Sequence, residues 1–97
     1  MKSIMEPKEA DSCYLCEFCG YLENHHIIGG NPGRKLSERY GLKVHLCYEC
    51  HRGRDGVHMN AEKRRLLQRK AQEVFERKYS REKWMAVFGR NYMEDEI

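Results

Sequence analysis

At 97 residues, with 40% hydrophobic and 34% charged side chains, the chain suffices for one small domain but not for a deep core. Chains near this size commonly need a metal or disulfide staple. Eighteen Lys and Arg against fifteen Asp and Glu leave a net charge of +3. No apolar run approaches the ~18 residues of a membrane span. A membrane protein, a secreted disulfide knot, a multidomain enzyme and a wholly disordered chain are thereby excluded. The polar residues 1–11 lack a signal-peptide core, so the expected compartment is a reducing cytoplasm. There, clustered cysteines bind metal more often than they form disulfides.

In chain order, residues 1–11 read as a flexible N-terminal tail, with Pro7 among alternating charges. Residues 12–59 hold all five Cys, all five His and seven of the eight Gly, and form the chemical half. Gly29-Gly30-Asn31-Pro32-Gly33 is a loop signal within it. Residues 60–90 read as two packing helices. The first spans 60–79, with Asn60 as N-cap and Leu67, Ala71, Val74, Phe75 and Tyr79 at helical spacing. Ser80 caps the second, Glu82 suits its first turn, Trp84, Val87 and Phe88 share a face, and Gly89 stops it. Residues 91–97 read as an acidic C-terminal tail. The charge is segregated: −3 over residues 1–33, +8 over 34–83 and −2 over 84–97. A basic middle suits a polyanion, although the later helix charges alone read as a solvated surface.

Cys13-Tyr-Leu-Cys16 and Cys47-Tyr-Glu-Cys50 are two Cys-x-x-Cys pairs separated by thirty residues. Four thiolates complete a closed tetrahedral zinc site, whose binding contributes folding free energy that a small core lacks. Cys16-Glu-Phe-Cys19 also has the pair spacing, and Gly20 suits a knuckle turn. Pairing Cys13 with Cys16 leaves a more comfortable eight residues before the His pair, so Cys19 becomes the spare thiol. If residues 22–28 are extended, His25 and His26 point to opposite sides, which suits one to hold a metal and the other to act on a nearby water. His51 follows Cys50 directly, so a zinc-fixed knuckle would place it rigidly at a helix start. His45 reads as structural.

The ordered set Cys13-Tyr-Leu-Cys16, Leu22-Glu-Asn-His25-His26-Ile27, Tyr40-Gly-Leu-Lys-Val-His-Leu-Cys47, Cys50-His51 and Gly56-Val-His58 resembles the HNH nuclease family. The likeness covers about residues 13–59. The whole chain is also similar to small HNH proteins of phages and prophages, in the wording from Ser37 to Leu42 and at Phe88-Gly89. This resemblance implies an α+β fold, a small zinc-stapled ββα-metal (treble-clef-like) core with two C-terminal helices. It implies a structural zinc on Cys13, Cys16, Cys47 and Cys50. It further implies a catalytic divalent metal on His25 and His51, with His58 as a further candidate ligand, and His26 as general base. The implied activity is hydrolysis of DNA phosphodiester bonds, nicking or cutting with little sequence preference.

Histidine ligands would suit Mn²⁺, Ni²⁺ or Zn²⁺ better than Mg²⁺. The sequence departs from the family at its middle Asn, where Gly41-Leu42 stands. Arg34, Lys35, Arg39, Arg52 and Arg54 flank the expected site and are the candidate phosphate contacts to DNA. Phage packaging or recombination proteins are possible partners. The main alternative is a non-catalytic zinc module that binds nucleic acid or protein, which would tolerate loss of His25, His26 or His51.

Overall fold

A computed structural model describes residues 2–7 and 10–93. The architecture is α+β: strand β1 (Glu23–His26), helix α1 (Gly33–Tyr40), strand β2 (Lys43–Leu46), the single-turn α2 (Tyr48–Arg52), and helices α3 (Ala61–Lys78) and α4 (Arg81–Phe88). β1 and β2 pair antiparallel, with Glu23 opposite Leu46, Asn24 opposite His45, His25 opposite Val44 and His26 opposite Lys43. Alternation along each strand therefore divides the sheet. Glu23, His25, Val44 and Leu46 share one face, and Asn24, His26, Lys43 and His45 share the other.

The strands are joined through the loop at 27–32 and α1, an element the sequence reading did not anticipate. Ser37 secures it. Its buried hydroxyl donates to Ile28 O at 2.8 Å and accepts from Ile28 N at 3.0 Å, satisfying the backbone where β1 ends. α1 stops at Gly41, whose φ of 74° is left-handed and comfortable only without a side chain. A Cβ there would also strike the carbonyl of Lys2.

Residues 2–7, read from sequence as a tail, lie against β2 and the turn before it. Ile4 N donates to Gly41 O, Ser3 Oγ to Lys43 O, and the Glu6 carboxylate accepts from both His45 N and His45 Nδ1. Ile4 and Met5 add apolar contact. His45 is thereby engaged with Glu6 on the face of the sheet opposite His25.

α3 and α4 follow their sequence signals. Asn60 accepts from Lys63 N and Ser80 from Lys83 N, and Gly89 takes a φ of 71°. Leu67, Ala71 and Phe75 are buried with Trp84 in one core that also holds Leu42, Val44, Leu46 and Val57. Val74 is half-buried and Tyr79 is exposed at the edge. Tyr40, at the end of α1, packs edge-on to Phe75 at 5.4 Å and to Phe88 at 6.4 Å, which joins the helical pair to the chemical half. Buried Gln72 donates to Asn91 Oδ1 and accepts from Tyr92 N, and Tyr92 is itself buried. Asn91 and Tyr92 thus contact α3, while residues 94–97 lie outside the described residues. Among the described residues, no helix is long and apolar enough to cross a membrane.

Candidate metal centre

Among the described residues, two side-chain clusters have the spacing of metal sites. In the first, the sulfurs of Cys13, Cys16, Cys47 and Cys50 all lie within 4.8 Å of one another. The first pair sits on a knuckle that turns back at Glu17 (φ 65°), closed by Cys13 N donating to Phe18 O and Glu17 N to Cys13 O. In the second pair, Cys47 is the N-cap of α2 and Cys50 lies one turn on, so both sulfurs fall on one side. Cys16 Sγ and Cys47 Sγ are 3.6 Å apart. A zinc ion with bonds of about 2.3 Å sets tetrahedral sulfurs about 3.8 Å apart, so the cluster fits a structural zinc.

The thiol electrostatics agree with that fit. Burial pushes the Cys13 thiol up, but hydrogen bonds from the backbone of Cys47, Cys16 and Leu15 outweigh it and leave the pKa at about 7. Burial, then the neighbouring sulfurs, push Cys50 far up. Crowded sulfurs resist ionising together, a repulsion that a divalent cation removes. Cys19 is exposed and outside the cluster, its sulfur near Glu17 O, so the choice of Cys13 with Cys16 agrees with the geometry.

The second cluster is His25 from β1, His51 from α2 and His58 from the loop before α3, each with one ring nitrogen within 4.8 Å of the others. His51 Nε2 and His58 Nε2 face each other at 3.0 Å. Nitrogens bound to one zinc-sized ion at about 2.0–2.1 Å stand about 3.3 Å apart, a close match. His25 Nε2 is buried and has no hydrogen-bond partner among the described residues. An orphaned nitrogen of this kind costs about 1–3 kcal/mol unless a ligand or water satisfies it. Burial first, then the charges of His51, His58 and His26, lower the His25 pKa to about 4, so it is neutral and able to coordinate at pH 7. The cluster therefore fits a divalent ion by spacing, by orphaned donor and by charge state.

Glu23 prepares this cluster. His51 Nδ1–H donates to Glu23 Oε1 at 2.7 Å, so His51 Nε2 keeps the lone pair that faces His58. Arg52 forms a fork on the same carboxylate. Arg52 and then His51 hold the Glu23 pKa down at about 2. Gly53 and Gly56 end α2 and let the chain fold back tightly: a Cβ on Gly56 would meet the carbonyls of Glu49 and Cys50 at 2.8 and 2.9 Å. This turn carries His58 back onto His51.

A cleft of about 370 Å³ is lined by Asn24, His25, His26, Gly29, Gly30, Arg34, His51 and His58. Of the residues singled out from sequence, it gathers His25, His26, His51, His58 and Arg34. His26 lies beside the cluster rather than in it, as the strand alternation required, and its Nε2 is 2.9 Å from Glu38 Oε1. His51 lies in the only turn of α2, not at the start of a longer helix. Lys35, Arg39 and Arg54 are exposed but do not line the cleft. Arg52 is engaged with Glu23 and lies over the Tyr48 ring at 5.6 Å.

Glu23, Ser37 and Glu38 were missed from sequence. For Glu23 a signal existed: two residues before His25 on a strand is the same face. For Ser37 and Glu38, the unrecognised helix α1 hid their placement. The chain matches no protein-family model, no curated protein and no solved structure.

Proposed function

We propose that this protein is a metal-dependent endonuclease of the HNH type, hydrolysing DNA phosphodiester bonds with little sequence preference. The observation that carries the reading is the convergence of His25, His51 and His58 with His26 and Arg34 in one cleft. A structural zinc alone would account for the four cysteines and leave these five side chains without a task. In this reading β1, β2 and α2 form the ββα core, with the zinc staple joining its two ends. The loop brace supplied elsewhere in the family by an Asn is provided here by Ser37, which bonds both backbone groups of Ile28.

His25, His51 and His58 would hold the divalent ion, which when bound supplies positive charge for the scissile phosphate and the departing oxygen. Glu23 keeps His51 in the tautomer that coordinates. His26, which lines the cleft, accepts a proton as water attacks phosphorus. Arg34 is the cationic side chain of the cleft and orients the phosphate, while the exposed Lys35, Arg39 and Arg54, outside the cleft, are the candidates for neighbouring phosphates. Gly29 and Gly30 carry no side chain, and space around both is open, so backbone can approach the substrate there.

Supercoiled-plasmid relaxation by the zinc-loaded protein tests this. The wild type is expected to nick with Mn²⁺ or Ni²⁺, and more weakly with Mg²⁺, which prefers oxygen ligands. His26→Ala is expected to lose about 100-fold or more in rate while still binding DNA. Equal nicking by both proteins would remove His26 as base. No nicking with any metal would favour the non-catalytic zinc module.

A further inference from the structure

To serve as a base His26 must be held, because a free imidazole divides between two tautomers and turns about its side-chain bonds. His26 and Lys43 are cross-strand partners and share a face of the sheet. On that face both meet Glu38 of α1: His26 Nε2 lies 2.9 Å from Oε1, and Lys43 Nζ lies 2.8 Å from Oε2. Glu38 directly follows Ser37, whose hydroxyl fastens α1 to Ile28, two residues beyond His26. The helix that carries the carboxylate is thus tied to the strand that carries the imidazole.

We propose that Glu38 is a positioning residue for His26, fixing its proton on Nε2 so that Nδ1 is the nitrogen that receives the proton of the attacking water. An ionised carboxylate can only accept hydrogen bonds, so the Nε2 facing it must be the N–H. Lys43, then His26, hold the Glu38 pKa down at about 2, which keeps the carboxylate ionised at any pH where nicking would be assayed. With Nε2 committed, Nδ1 is the free base nitrogen of a side chain that lines the cleft. Lys43 occupies the other carboxylate oxygen, which restrains the carboxylate from turning away. As a stabilising ion pair the group would matter little, since the Glu38 side chain is 47% exposed. Its value lies in orientation.

This inference rests on His26 as the base, and the experiment separates the two. Long-range ¹H–¹⁵N spectra of ¹⁵N-histidine-labelled, zinc-loaded protein at pH 8 read the tautomer directly, and plasmid relaxation with Mn²⁺ reads the rate. Wild type is expected to show His26 as the Nε2–H tautomer. Glu38→Ala is expected to show a mixture and to nick about ten- to a hundredfold more slowly, with unchanged plasmid affinity and zinc content. Glu38→Gln, whose amide oxygen can still accept, is expected to recover the tautomer and most of the rate. Glu38→Asp, which keeps the charge but withdraws it by one methylene, is expected to behave like Glu38→Ala and supplies a second reading should the alanine variant lose its fold. A wild-type tautomer and rate in both Glu38→Ala and Glu38→Asp would overturn the proposal. If instead His26→Ala nicks as fast as wild type, the base assignment fails, while the tautomer spectra still report whether Glu38 holds the ring.

Discussion

Each sulfur of the Cys13, Cys16, Cys47 and Cys50 cluster would be one of four ligands to a zinc ion, and three thiolates bind zinc far less tightly than four. Cys47→Ser is therefore expected to abolish the one tightly held zinc per chain and, with it, cooperative folding, whereas Cys19→Ser should retain both. Elemental analysis with circular dichroism checks this, and zinc loss from the Cys19 variant would contradict it. His25 supports a prediction of another kind. The folded protein, with no divalent ion in the histidine cleft, keeps this imidazole neutral down to about pH 4, while an unfolded chain protonates it from about 6.5. The unfolded state then binds more protons, so stability falls as pH drops from 6.5, by up to about 1.4 kcal/mol per pH unit from this one group. Denaturant unfolding between pH 6.5 and 5.5 should show a shallower pH dependence in His25→Asn. Parallel slopes would mean that His25 is not a buried neutral imidazole.

Helices α3 and α4 were legible because each of their signals was local. Asn60 and Ser80 cap them through their own side chains, and Asn60→Ala or Ser80→Ala is expected to cost about 1 kcal/mol in thermal or denaturant unfolding. A negligible effect at both positions would deny the caps a role. Helix α1 carried no comparable signal. It begins after Pro32 without a side-chain cap, and the residue it buries fully is Ser37, a polar side chain whose partner is nine positions away. The docking of residues 2–7 was equally hidden, because it depends on Glu6 meeting His45 across thirty-nine positions. The same contrast divides the candidate site. Cys-x-x-Cys pairs and the His25-His26 alternation follow from short-range geometry. The Glu23–His51 and Glu38–His26 pairs become visible only once the strand register and α1 are known. Ser37→Ala, which strands two backbone groups of Ile28, is expected to destabilise by about 1–3 kcal/mol. It should also slow nicking through its neighbour Glu38.

In the whole molecule, a short chain has two unlike means of holding together, a cysteine cluster that could hold zinc and an aromatic core around Phe75 and Trp84. The mild net charge of +3 conceals a basic middle segment that carries Arg34 to the edge of the histidine cleft. The proposed phosphate contacts would release counterions, so DNA affinity should fall steeply as salt rises. In the proposed function the histidine cleft is a second metal centre, apart from the cysteine cluster, at which phosphodiester bonds would be broken. Its most direct test is the Mn²⁺-dependent rate of supercoiled-plasmid relaxation by zinc-loaded wild type and by a His51→Ala, His58→Ala double variant with the same zinc content. The expected result is nicking by the wild type and loss of at least about 100-fold in the variant, with one zinc per chain in both. Equal nicking by the two zinc-loaded proteins would contradict the claim.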